Sequence, residues 1–151
     1  MAGGRSRILI IDDNLEFLEM LVALLEPTYQ VTLAENGKRG MALACSHQFD
    51  LVLLDIFMPG LDGFTVCQQL KRHEATRHLP VILMSGHLEA EGRFRAIDVG
   101  AADYIAKPFN LPMVNARIRV LIAPPIITLS QTTGEKFPET SKDTDTDFTM
   151  E

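Results

Sequence analysis

Three short, wholly apolar runs, Ile8-Leu9-Ile10-Ile11, Leu51-Val52-Leu53-Leu54 and Val81-Ile82-Leu83-Met84, each stop abruptly at a polar residue. Runs of this length, rich in β-branched side chains and lacking alternation, are the pattern of strands covered on both faces. Between them the apolar spacing changes to three and four. Phe17, Leu18, Leu21, Leu24 and Leu25 predict a helix that Asp13 or Asn14 can cap and Pro27 stops. Gln30–Ala34 reads as a second strand, and Gly37–His47 as a small-residue helix with Met41, Leu43, Ala44 and Cys45. After Asp55 and the turn at Pro59-Gly60, Asp62 caps a helix that buries Phe64, Cys67 and Leu70. A fourth helix is expected from about Glu89 to Asp98, presenting Phe94 and Ile97, with Gly100 as its stop. Tyr104–Ala106 is a fifth strand. The last helix runs from about Leu111 to Ile122, with Asn110 as cap, Pro112 in the first turn and Val114, Ile118 and Leu121 on one stripe.

Five strands alternating with five helices predict right-handed crossovers and a doubly wound α/β domain with a five-stranded parallel sheet. The 46% hydrophobic share is enough for one core in a chain of 151 residues. The expected divisions are a leader at 1–6, a folded domain at 7–123 and an acidic, Ser/Thr-rich tail or linker at 124–151, with a brief β-prone patch at Ile126–Leu129. That tail contains six acids and two lysines, and so carries −4 of the net −6. The nearly neutral remainder, without a Lys/Arg cluster, argues against direct nucleic-acid binding. No apolar run is long enough for a membrane span, and the first strand follows Met1–Arg7 without a signal-peptide core, which gives a cytoplasmic expectation and no membrane contact. Cys45 and Cys67 lack CxxC spacing and are expected to be reduced, buried thiols.

In open α/β sheets, ligands collect outside the carboxyl ends of the strands. The polar residues that end the strands are Asp12 and Asp13, Asp55, Ser85 and Lys107. Three converging carboxylates call for a cation, and Mg²⁺ is suited to one or two carboxylates plus phosphate oxygens. With that ion and Lys107 the charges balance, and Asp55 becomes a candidate nucleophile toward phosphorus while Ser85 can donate a hydrogen bond. Taken singly, each residue has an ordinary explanation: a helix cap, a strand-end acid, a turn, a surface lysine, a half-buried tyrosine. Their joint order on successive strand ends is what carries weight. His47, His73, His78 and His87 show no metal-ligand spacing and are expected at the surface.

On these residues, together with Met58-Pro59-Gly60-Leu61-Asp62-Gly63 and Lys107-Pro108-Phe109, the stretch from Arg7 to about Ala123 resembles a two-component response-regulator receiver domain of the chemotaxis-regulator kind. The resemblance implies a flavodoxin-like strand order 2-1-3-4-5 and a cis bond before Pro108. It implies Asp55 as phosphoacceptor, Asp12 and Asp13 with the Phe57 carbonyl and Asp55 as Mg²⁺ ligands, and Ser85 and Tyr104 as switch residues. It further implies a phosphodonor that is a sensor histidine kinase or phosphotransfer protein, and output to a downstream protein or a second copy through helix 4, strand 5 and helix 5. Helix 5 adds Met113, Ala116 and Val120 to that surface. No turnover enzyme is implied; the receiver assists its own phosphorylation and dephosphorylation, as a stand-alone regulator or as a piece of a larger protein.

Two positions depart from the family's common pattern. Phe57 stands two residues after the acceptor and His87 two after Ser85, where both are expected to modulate the lifetime of the phosphorylated form. Phe57 also stands where an aspartate-nucleophile phosphohydrolase needs a second acid, which weighs against that rival. A receiver-like scaffold that is never phosphorylated would have lost a site residue, and none is missing.

Overall fold

The computed structural model describes residues 4–86, 90–107 and 110–122. Five parallel strands, β1 (Arg7–Ile11), β2 (Gln30–Ala34), β3 (Leu51–Asp55), β4 (Val81–Ser85) and β5 (Asp103–Ala106), form one sheet in the order β2-β1-β3-β4-β5. Helices α1 (Leu15–Leu25), α2 (Gly37–Ser46), α3 (Gly63–Arg72), α4 (Ala90–Asp98) and α5 (Leu111–Ile122) connect and flank it. The fold class and strand order implied by the resemblance are those found.

Successive side chains on a strand point to opposite faces, and the core divides accordingly. Leu9, Ile11, Val52, Leu54, Val81 and Leu83 pack with residues of α2, α3 and α4, among them Leu43, Phe64, Cys67, Leu70 and Ala96. Ile8, Ile10, Leu51, Leu53, Ile82 and Met84 pack on the other face with Leu18, Leu21 and Leu25 of α1 and Val114 and Ile118 of α5. Each central strand is thus buried on both sides, which is why its sequence has no polar alternation.

The helix starts follow the cap chemistry. Asn14, Asn36 and Asp62 each accept a hydrogen bond from a first-turn N–H, at 3.1, 2.8 and 2.8 Å, and Asn110 does the same for Met113 at 2.8 Å. Asn14, rather than Asp13, therefore caps α1. The helix ends at Leu25, where the Glu26 N–H donates to Val22 O, two residues ahead of Pro27.

Several expectations are corrected. Phe94 and Ile97 are 69% and 72% exposed; α4 turns Ala96 inward and lays Gly92 against Tyr104, so its small residues face the sheet and its bulky ones face out. Cys45 is exposed, because Leu43 and Ala44 take the inner face of α2 and the next residue points away. Cys67 is buried as expected, and burial pushes its thiol up to about 11. Leu24 lies outside the buried stripe of α1, and Met113 packs partly against the core, leaving Ala116 and Val120 as the exposed members of the α5 patch. His47, His73 and His78 are exposed. His87, the bond before Pro108, the start of α4 at Glu89 and the patch at 126–129 lie outside the described residues. Among the described residues no helix is long and apolar enough to cross a membrane.

Candidate functional site

The carboxyl ends of β1, β3, β4 and β5 meet at one edge of the sheet. Asp12 follows β1 and stays in register, its N–H donating to Ala34 O of β2 at 3.1 Å. Asp55 closes β3 opposite Met84, and Ser85 closes β4 opposite Ala106, so Lys107 leaves the sheet one step beyond. The backbone N–H of Lys107 donates to Ser85 O at 2.7 Å, which fixes where the lysine side chain starts.

Asp12 and Ser85 are fully buried and Asp55 is 5% exposed, whereas Asp13 reaches solvent. The three aspartates offer oxygens that lie within 4.8 Å of one another. Lys107 Nζ stands between two of them, 2.9 Å from Asp12 Oδ2 and 3.1 Å from Asp55 Oδ1. The other oxygen of Asp12 accepts from the Asn14 N–H at 2.9 Å, so the N-terminal turn of α1 is tied to the cluster.

One cation facing three carboxylates leaves negative charge in excess. Burial, helped by the neighbouring Asp12, pushes the Asp55 carboxyl up to about 6, against the downward pull of Lys107. A donor set of hard oxygens with uncompensated charge fits a small divalent cation such as magnesium.

The loop after Asp55 is shaped by close approach. Gly60 takes a left-handed conformation, φ 81°, and the Gly63 N–H donates to Ile56 O at 2.8 Å. A β-carbon on Gly63 would lie 2.7 Å from the Cα of Ile56, so only glycine lets α3 begin directly against the strand end. Phe57, between these points, is 57% exposed. Tyr104 lies on β5 with its hydroxyl beside Gly92 of α4; a β-carbon at Gly92 would stand 2.8 Å from that oxygen. Beyond Tyr104, a groove of about 770 Å³ runs between α4 and α5, lined among others by Arg93, Ile97, Met113 and Arg117.

Asp12, Asp13, Asp55, Ser85 and Lys107 are therefore brought to one place, and Tyr104 stands apart from them on the α4 side. Two contacts escaped the sequence reading. Lys107 Nζ sits 4.1 Å from the centroid of the Phe17 ring, and Arg117 pairs with Asp103 at 2.6 Å beside the groove. Phe17 was legible only as one more apolar position of α1, and the Asp103–Arg117 pair had no spacing signal.

Residues 8–119 match the response regulator receiver domain, and the chain belongs to that family. It is a phosphoacceptor signalling switch. The DNA-binding dual master transcriptional regulator RpaA of Synechocystis sp. is 41% identical over 117 residues, 77% of this chain and 48% of RpaA. Response regulator PleD of Caulobacter vibrioides is 41% identical over 120 residues, 77% of this chain and 26% of PleD. The chain thus spans half or less of these relatives. Among solved structures, the receiver domain of sensor histidine kinase PA1611 from Pseudomonas aeruginosa PAO1 is similar, with TM-score 0.74 and 26% identity over 80% of this chain and 100% of that one. Its structure is described with a magnesium ion coordinated in the active site cleft. Chemotaxis protein CheY4 of Vibrio cholerae shares the fold, with TM-score 0.75 and 23% identity over 78% of this chain and 99% of that one.

Proposed function

We propose that Asp55 accepts the phosphoryl group, from a phosphohistidine on a sensor kinase or phosphotransfer protein. The observation that carries this is the buried Asp12–Lys107–Asp55 bridge with Asp13 at its rim. An oxygen of Asp55 forms the new bond to phosphorus as the bond from phosphorus to the donor nitrogen breaks; that nitrogen keeps the electron pair and takes up a proton. Lys107 neutralises charge on a transferring oxygen, and the Ser85 hydroxyl donates to another. Asp12, Asp13, Asp55 and the backbone carbonyl of Phe57 would hold magnesium, which when bound supplies further charge neutralisation at the same oxygens.

Output runs through α4, β5 and α5. The phosphoryl group favours a state in which Ser85 draws toward it and Tyr104 turns from Gly92, which remodels the groove for a partner protein or a second copy. Residues 7–123 form the receiver and 124–151 an acidic tail or linker, in a regulator that stands alone or continues into a larger protein. No nucleic-acid contact is assigned to residues 7–123, whose net charge is −3.

The test is incubation with magnesium and acetyl phosphate, followed by intact mass. One phosphoryl group is expected on the native chain and none on Asp55→Asn. Equal labelling of Asp55→Asn moves the acceptor elsewhere and ends this assignment.

A further inference from the structure

We infer that Phe17 is a positioning residue for phosphorylation, its ring face holding the Lys107 ammonium at the carboxylate pair. The inference rests on the assignment of Asp55 and Lys107 above and adds a residue to it.

The geometry is that of a three-sided clamp. Lys107 Nζ contacts Asp12 at 2.9 Å, Asp55 at 3.1 Å and the centre of the Phe17 ring at 4.1 Å. The distance to the ring is well inside the range at which a cation is drawn to the negative face of an aromatic ring, and the attraction is strongest where water is excluded. Lys107 is only 20% exposed on its side chain.

The backbone that carries the ring is also tied to the site. The Phe17 N–H donates to the Asn14 side chain at 3.1 Å, and the Asn14 N–H donates to Asp12 at 2.9 Å. These contacts anchor the first turn of α1, which carries the Phe17 side chain, to the carboxylate cluster.

An aromatic face suits a lysine that must change partners. A carboxylate or carbonyl at that side would compete with an incoming phosphoryl oxygen for an N–H, through a bond of fixed direction. The ring attracts the charge without claiming a particular N–H, so the ammonium can turn from Asp55 to the phosphoryl oxygen while staying in place. Leucine would fill similar space without the attraction, and a long flexible side chain would then spend less time at the pair.

The experiment compares the native 151-residue chain with Phe17→Leu, Phe17→Tyr and Phe17→Trp, following phosphorylation by acetyl phosphate and magnesium with intact mass. Phe17→Leu is expected to be slower by about five- to tenfold, while Phe17→Tyr stays within about twofold of native and Phe17→Trp is at least as fast as Phe17→Leu. The decisive arm repeats Phe17→Leu in a Lys107→Met background, where no cation remains for the ring to hold. There the substitution should change the residual rate by less than about twofold. An equal loss in both backgrounds makes Phe17 a packing residue and overturns the inference, as does native speed in Phe17→Leu. Labelling of Asp55→Asn would instead overturn the acceptor assignment, so the two failures are separable.

Discussion

Replacing Asp55 with asparagine should make the metal-free protein more stable. The Asp55 carboxyl is buried beside Asp12, and its pKa moves from the ordinary 3.8 to about 6. The folded state therefore binds more protons than the unfolded chain between these values, and stability falls as pH rises through that window. Below pH 3.8 the penalty is absent; above pH 6 it is complete. At about 1.4 kcal/mol per pH unit, the full penalty is about 3 kcal/mol, with about 1 kcal/mol already present at pH 4.5. Asparagine keeps the shape and cannot ionise, so Asp55→Asn should gain about 3 kcal/mol at pH 7.5 and about 1 kcal/mol at pH 4.5. For a domain of this size that gain raises the urea midpoint by about 1–2 M. The measurement is urea unfolding of both proteins in EDTA at the two pH values. A variant no more stable than native at pH 7.5, or a gain that does not shrink at pH 4.5, would refute the claim that a buried, under-compensated charge sits at residue 55.

Four further outcomes are expected. Magnesium at a hundredfold excess over its Kd should stabilise the native chain by about 2.7 kcal/mol and Asp12→Asn much less, as read by the same unfolding curves. Gly63→Ala, whose new carbon meets the Ile56 backbone, should cost about 1–3 kcal/mol and slow phosphorylation, whereas unchanged stability would show that α3 can shift. Gly92→Ala meets only the end of the Tyr104 side chain, so it should gain about 0.5–1 kcal/mol of helix stability while displacing the tyrosine, visible in Tyr104 chemical shifts. Phe57→Asn should shorten the lifetime of phosphorylated protein by roughly fivefold to thirtyfold, because asparagine can orient the attacking water; equal decay after donor removal would exclude shielding by the phenyl ring.

What the chain reveals of itself follows the range of the physics involved. Strands β1, β3 and β4 are legible because burial on both faces removes polar alternation, and the residue that ends each run must tolerate the sheet edge. The positions of Asp12, Asp55 and Ser85 at strand ends are therefore legible in the sequence alone. Helix α4 was legible as an element but not in its orientation. Phe94 and Ile97 carry the hydrophobicity, yet Ala96 and Gly92 face inward, because Tyr104 approaches so closely that small residues are needed there. Periodicity weighs bulk and cannot tell an outward pair of large side chains from an inward one when the true inner stripe is small.

The same limit explains Phe17. Spacing along α1 gives it an apolar place beside Leu18 and Leu21, and nothing local shows that a lysine 90 positions later arrives at its ring. That meeting requires the order β2-β1-β3-β4-β5. That order leaves β5 separated from β1 by β3 and β4, and the long Lys107 side chain reaches back past the end of β3 to Asp55 and Asp12, where the first turn of α1 becomes the third wall around its ammonium. A residue can thus look like ordinary helix packing in sequence and belong to the site in space. Once folded, the strand-end acids are less ambiguous, because two carboxylates at 0% and 5% exposure sharing a single lysine have no packing role that explains them. An aromatic ring does have one, so Lys107→Met is the background in which the two roles of Phe17 come apart.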